Sequence, residues 1–162
     1  MHRAIRMGSL VASAALAFAC DSSTDTKVSY AASLSGANEV PAVTSSGTGT
    51  FTATLDENNV LTYNLTFTGL TSNSILAHIH GPASTTVSSG VLVDFNNAAA
   101  GRIITFGSPS GTGSGTIDLK LAINANVSGD SLRKLLDLGL TYVNVHTTVN
   151  QGGEIRGQVI KQ

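Results

Sequence analysis

A chain of 162 residues makes room for one domain with a short appendage. Hydrophobic residues form 41% of it and charged residues only 12%, about half the usual share, so the chain can bury a core and is not disordered. Nine Lys+Arg against ten Asp+Glu give a net charge of −1 with no basic block, which excludes a nucleic-acid partner, and one cysteine excludes an intrachain disulfide or a multi-cysteine metal site.

The N-terminus reads as a targeting segment. Arg3 and Arg6 precede a small, apolar run from Met7 to Ala19, which is the length of a signal-peptide core and too short to span a bilayer well. Ala17-Phe18-Ala19 offers a small-x-small cleavage site, and the chain's only cysteine, Cys20, follows directly. This arrangement resembles a bacterial lipobox. The expectation is a signal peptide over 1–19, a lipidated Cys20 and a polar tether over 20–27. The mature protein would then be anchored to a membrane of the cell envelope, facing the periplasm or exterior, or secreted if the cysteine keeps its thiol. Loss of two arginines leaves seven Lys+Arg against ten acids, a net −3 that gives no help in holding anionic lipid.

From Val28 onward apolar and polar residues alternate with period two, the mark of half-buried antiparallel strands. Phe51, Ala53 and Leu55 alternate with threonines. Leu61, Tyr63, Leu65 and Phe67 do the same, and Asp56-Glu57-Asn58-Asn59 between the two runs is turn material. Further strands are predicted over 28–34, 74–80, 90–95, 102–106, 114–121, 141–148 and 153–160. The expected architecture is all-β: a Greek-key antiparallel β-sandwich of eight or nine strands over residues 28–162. The Gly-rich stretch 107–115 reads as a loop, and Ser84–Ser89 as a polar loop without evident purpose. One segment, 128–139, has helical spacing at Leu132, Leu135 and Leu136, with Ser128 or Asp130 to cap it and Gly139 to end it.

His2 leaves with the signal, so the mature chain keeps three histidines, in Ala77-His78-Ile79-His80-Gly81-Pro82 and in Val143-Asn144-Val145-His146. Residues i and i+2 of a strand share a face, roughly 6.6 Å apart at Cα. His78 and His80 therefore stand together opposite Ala77 and Ile79. Asn144 and His146 stand opposite Val143 and Val145. If the two strands are neighbours, three imidazoles converge. Three neutral imidazoles with a fourth position open suit Zn²⁺ or Cu²⁺. A His-x-His strand with a third histidine on another strand resembles the zinc site of carbonic anhydrase and part of the copper site of copper–zinc superoxide dismutase. The further zinc ligands and paired cysteines of the dismutase have no counterpart here. The other reading of the same residues is a hydrogen-bonded cluster that only shapes the strand ends.

Glu154 and Arg156, two apart, can pair on one strand face, with Glu39 joining as a small ion network. Glu39 or Glu154 can instead orient an imidazole. No Gly-x-Ser-x-Gly elbow lies between a strand and a helix, so nucleophilic hydrolysis has no support.

Leu34-Ser35-Gly36-Ala37-Asn38-Glu39-Val40-Pro41, Ala77-His78-Ile79-His80-Gly81-Pro82-Ala83, Tyr142-Val143-Asn144-Val145-His146-Thr147 and Gly152-Gly153-Glu154-Ile155-Arg156-Gly157-Gln158 together resemble the CHRD (chordin-type) domain family, in the family's order and over about residues 29–160. The chain departs from the pattern in its single Pro41, where a double proline is common, and in an insertion-like stretch around 96–114. The resemblance implies a secreted β domain, here standing alone as a bacterial lipoprotein, and implies no enzyme activity. Three functions stay open: metal binding through His78, His80 and His146; a non-catalytic adhesion or extracellular protein-binding module; and a metal-dependent enzyme.

Overall fold

The computed structural model describes residues 27–97, 102–121 and 127–162. The expected signal peptide over 1–19, Cys20 and nearly all of the expected tether over 20–27 lie outside the described residues, as does part of the 96–114 stretch.

The expected all-β fold with one short helix is present. The strands are β1 (Val28–Ser35), β2 (Thr48–Leu55), β3 (Val60–Thr68), β4 (Ser74–His80), β5 (Val91–Asp94), β6 (Arg102–Ile104), β7 (Gly111–Asp118), β8 (Tyr142–Thr147), β9 (Ile155–Gln158) and β10 (Ile160–Lys161); the helix α1 spans Gly129–Asp137. The flanks of the expected sandwich belong to one antiparallel sheet, in the order β5-β4-β8-β9-β1-β2-β3-β7-β6, with β10 also on β1. That sheet curls as a half-barrel. Phe95, just past edge strand β5, lies 4.7 Å from the Tyr63 ring of β3 and 6.1 Å from Phe51 of β2, so strands far apart in the order meet across one core.

Period-two patterning places the core. Tyr30, Phe51, Leu55, Leu61, Leu65, Ile79, Val143, Val145 and Ile155 are buried inside the curl. In the β2–β3 hairpin the Asp56 carboxylate accepts from the Val60 N–H at 2.8 Å. The Ser128 hydroxyl caps α1 by accepting from the Ser131 N–H, and Leu132 and Leu136 of the helix close the core.

The Gly-rich stretch is a correction to the sequence reading. Only 107–110 is loop; Gly111 onward is strand, pairing with β3 at Phe67↔Gly111, Leu65↔Gly113 and Tyr63↔Gly115. Glycine carries no hydrophobic signal, so the period of two is invisible there. The absence of side chains is nonetheless required, since a Cβ on Gly111 would lie 2.5 Å from the Phe67 ring. The single strand expected over 153–160 is likewise split into β9 and β10.

Candidate metal centre

β4 and β8 are neighbours, in the register His78↔Asn144, His80↔Tyr142 and Leu76↔His146. The geometric condition for convergence is thus met. Ala77, Ile79, Val143 and Val145 fill the core, and the histidines occupy the opposite face. That face is not open to solvent. The segments 83–90, 36–45 and 147–154 close over it, so all three histidines are buried. Their candidate ligand atoms lie within 4.8 Å of one another.

Hydrogen bonds fix two of the rings. His80 Nδ1 lies 2.9 Å from the Ser89 carbonyl, and His146 Nδ1 lies 2.8 Å from the Gln151 carbonyl. A carbonyl only accepts, so both Nδ1 atoms carry the proton and both Nε2 atoms present a lone pair. His80 Nε2 is buried with no hydrogen-bond partner. His146 Nε2 lies 2.9 Å from His78 Nδ1, and His78 Nε2 faces Asp94 Oδ1 at 3.6 Å. In the metal-free protein His78 Nδ1–H donates to His146. If its proton shifts to Nε2, on the side of the Asp94 carboxylate, Nδ1 becomes a third lone pair.

All three imidazoles are held neutral. Burial, then the neighbouring His146 and His80, push the His78 pKa down to about 4, against the pull of Asp94. Burial also lowers His80 and His146, with their backbone hydrogen bonds opposing it. Neutral imidazole is the form that ligates a metal.

The carboxylates are arranged otherwise than the sequence suggests. Glu154 does not pair with Arg156. It accepts from the Ser45 hydroxyl (2.7 Å), the Thr71 N–H (2.6 Å) and hydroxyl (2.8 Å), the Thr147 hydroxyl (2.8 Å) and the Asn150 amide (3.2 Å). Burial raises its pKa, yet these donors bring it down to about 2. The reason for the mismatch is that Glu154 precedes β9, so strand periodicity does not govern it. Glu154 is a structural clasp joining the 45, 71 and 147 segments. Arg156, 1% exposed, donates through Nη2 to the Ser84 and Val87 carbonyls and lays its guanidinium 3.4 Å from the centre of the Tyr142 ring. Tyr142 in turn stacks on His80, 4.8 Å between centroids and 3° from parallel. Arg156 therefore supports the centre through Tyr142 and through the loop that bears Ser89. Burial raises Glu39 to about 7, opposed by Arg156 and the Asn144 amide.

Residues 30–159 match the CHRD domain. The chain belongs to the CHRD family. No curated protein and no solved structure matches it. In this CHRD domain, Ser89, Gln151 and Tyr142 are the contributors that sequence reasoning missed. Tyr142 was within reach of it, being two residues before Asn144 on the histidine face. Ser89 and Gln151 act through backbone carbonyls, which no residue type announces. The serine-rich loop without evident purpose proves to be the lid of the histidine face.

Proposed function

We propose that this CHRD domain binds one divalent transition-metal ion, Cu²⁺ or Zn²⁺, through His78, His80 and His146. One observation carries the reading: three buried, neutral imidazoles converge within 4.8 Å, and backbone carbonyls already hold two of them in the tautomer whose Nε2 is free to ligate. His80 Nε2 is a buried lone pair without a donor, which is costly unless a cation or water meets it. The donor set lacks thiolates, which disfavours Cu(I), and the intrinsic affinity order places Cu²⁺ above Zn²⁺. Asp94, beside the far nitrogen of His78, takes the orienting role that a carboxylate plays behind a ligating histidine.

The sequence adds a location. A lipid on Cys20 would hold the domain at the cell envelope, with residues 20–27 as tether. Among the described residues no helix is long and apolar enough to cross a membrane.

A second reading has its own observation. The 2.9 Å contact between His78 and His146 is a good hydrogen bond in the absence of metal, as a purely structural cluster in an adhesion or protein-binding module would make. Titration of metal-free protein with Cu²⁺ and with Zn²⁺ separates the two. Metal binding predicts one ion per chain and a large, similar loss of affinity in His78→Ala, His80→Ala and His146→Ala. The structural cluster predicts no saturable site, or a site that survives His146→Ala.

A further inference from the structure

Asn144 occupies the middle of the histidine face. It is the register partner of His78, stands two residues from His146 on the same face of β8, and lies diagonal to His80. It is 2% exposed, and its Oδ1 is buried with no hydrogen-bond partner. Its amide is close enough to act on both the His80 ring and the Glu39 carboxylate. The direction of the side chain is fixed from behind. A Cβ on Gly153 would lie 2.6 Å from Asn144 Nδ2 and 2.4 Å from Glu39 Oε1, so the nitrogen end of the amide lies beside the carboxylate at Gly153. The oxygen is left as an acceptor without a donor.

His80 Nε2 is another such acceptor in the same layer. A neutral imidazole nitrogen and an amide oxygen cannot satisfy each other, since both offer only lone pairs. Buried acceptors left in that state cost free energy that a protein ordinarily offsets with a donor or a cation. The histidine centre is where a cation belongs.

We propose, building on the three-histidine reading, that Asn144 Oδ1 is the fourth ligand of the same ion, so that the ion sees three imidazole nitrogens and one amide oxygen. Glu39 is then a positioning residue, holding the amide nitrogen so that the oxygen faces the ion. An oxygen donor shifts the centre toward Cu²⁺ and Zn²⁺ and further from Cu(I).

The test loads the full domain and its variants with Cu²⁺ and records the electron paramagnetic resonance spectrum and the affinity. Asn144→Ala should weaken Cu²⁺ binding by about a hundredfold or more, since even partners behind the ligands are worth about ten- to a hundredfold. It should also change the copper hyperfine splitting, and raise the Cu²⁺/Cu⁺ potential by removing a ligand that favours the oxidised ion. Asn144→Asp keeps an oxygen in place and should retain binding, which holds the proposal to account if the alanine variant does not fold. An Asn144→Ala protein with wild-type spectrum, potential and affinity overturns the proposal. Weaker binding with an unchanged spectrum also overturns it, because Asn144 would then act only by positioning. If wild-type protein takes up no metal, the three-histidine reading itself has failed, an outcome distinct from either of these.

Discussion

Gly153→Ala puts the packing behind the centre to a quantitative test. Gly153 has φ +128°, a backbone conformation that L-residues rarely adopt, and the space of its missing side chain is filled by Glu39 Oε1 at 2.4 Å and Asn144 Nδ2 at 2.6 Å. Backbone strain at such a position costs about 1–3 kcal/mol. Forcing a methyl into packed space costs about 1–3 kcal/mol more. Neither neighbour yields freely, because both Glu39 and Asn144 are buried. The expected loss is therefore about 2–6 kcal/mol, a large part of a typical domain's stability of about 5–15 kcal/mol. Urea unfolding of the metal-free protein reads it as a lower midpoint. Gly152→Ala is the control, since a Cβ there meets nothing within 4 Å and should cost within about 0.5 kcal/mol. A Gly153→Ala variant within about 1 kcal/mol of wild type would refute the packing described here, and with it the fixed orientation of Asn144.

Glu154→Gln replaces a carboxylate that accepts from five donors with an amide whose NH₂ faces some of them. With hydrogen bonds to charged groups worth about 1.5–3 kcal/mol each, a loss of about 3 kcal/mol or more is expected by urea unfolding at pH 7. Arg156→Lys should cost about 2–4 kcal/mol, because an ammonium cannot both reach the Ser84 and Val87 carbonyls and lie flat on Tyr142; a loss below 1 kcal/mol would place Arg156 outside the support of the lid. Glu39 has a folded pKa of about 7, above its ordinary 4.5, so its proton stabilises the fold fully below pH 4.5, and that contribution is lost as pH rises through 7. Glu39→Gln should therefore be more stable relative to wild type at pH 8 than at pH 5, and equal differences at the two pH values would contradict the burial of the carboxyl. All three imidazoles are held below their ordinary 6.5, His78 at about 4, so the loss of Cu²⁺ affinity to proton competition should set in below pH 6.5 as the pH falls. A steep fall centred on pH 6.5 would mean ordinary, solvated imidazoles.

Much of the fold was legible because strand faces have a period of two. The same rule that sent Val143 and Val145 inward sent Asn144 and His146 to the other face, and His78 and His80 to the matching face of their own strand. What periodicity could not supply is what lies over that face. The residues covering it come from three irregular segments, and their contacts are carbonyls of Ser84, Val87, Ser89 and Gln151. The burial that makes the histidines neutral was therefore invisible in the sequence. Glu154 was misread for a related reason. Its donors at Ser45 and Thr71 lie 109 and 83 residues away in the chain, whereas Arg156 stood two residues off and drew the pairing. In β7 the strand over 114–118 was expected, but the glycines at 111, 113 and 115 concealed where it begins, because nothing marks the face of a residue with no side chain.

Whether one ion sits among His78, His80 and His146 is read most directly by X-ray diffraction at the copper absorption edge from crystals of the domain loaded with one equivalent of Cu²⁺. One anomalous peak per chain is expected, about 2.0–2.1 Å from His80 Nε2, His146 Nε2 and His78 Nδ1, with the Ser89 and Gln151 hydrogen bonds retained. A peak elsewhere, or fully loaded crystals in which His78 and His146 keep their 2.9 Å hydrogen bond, would contradict it.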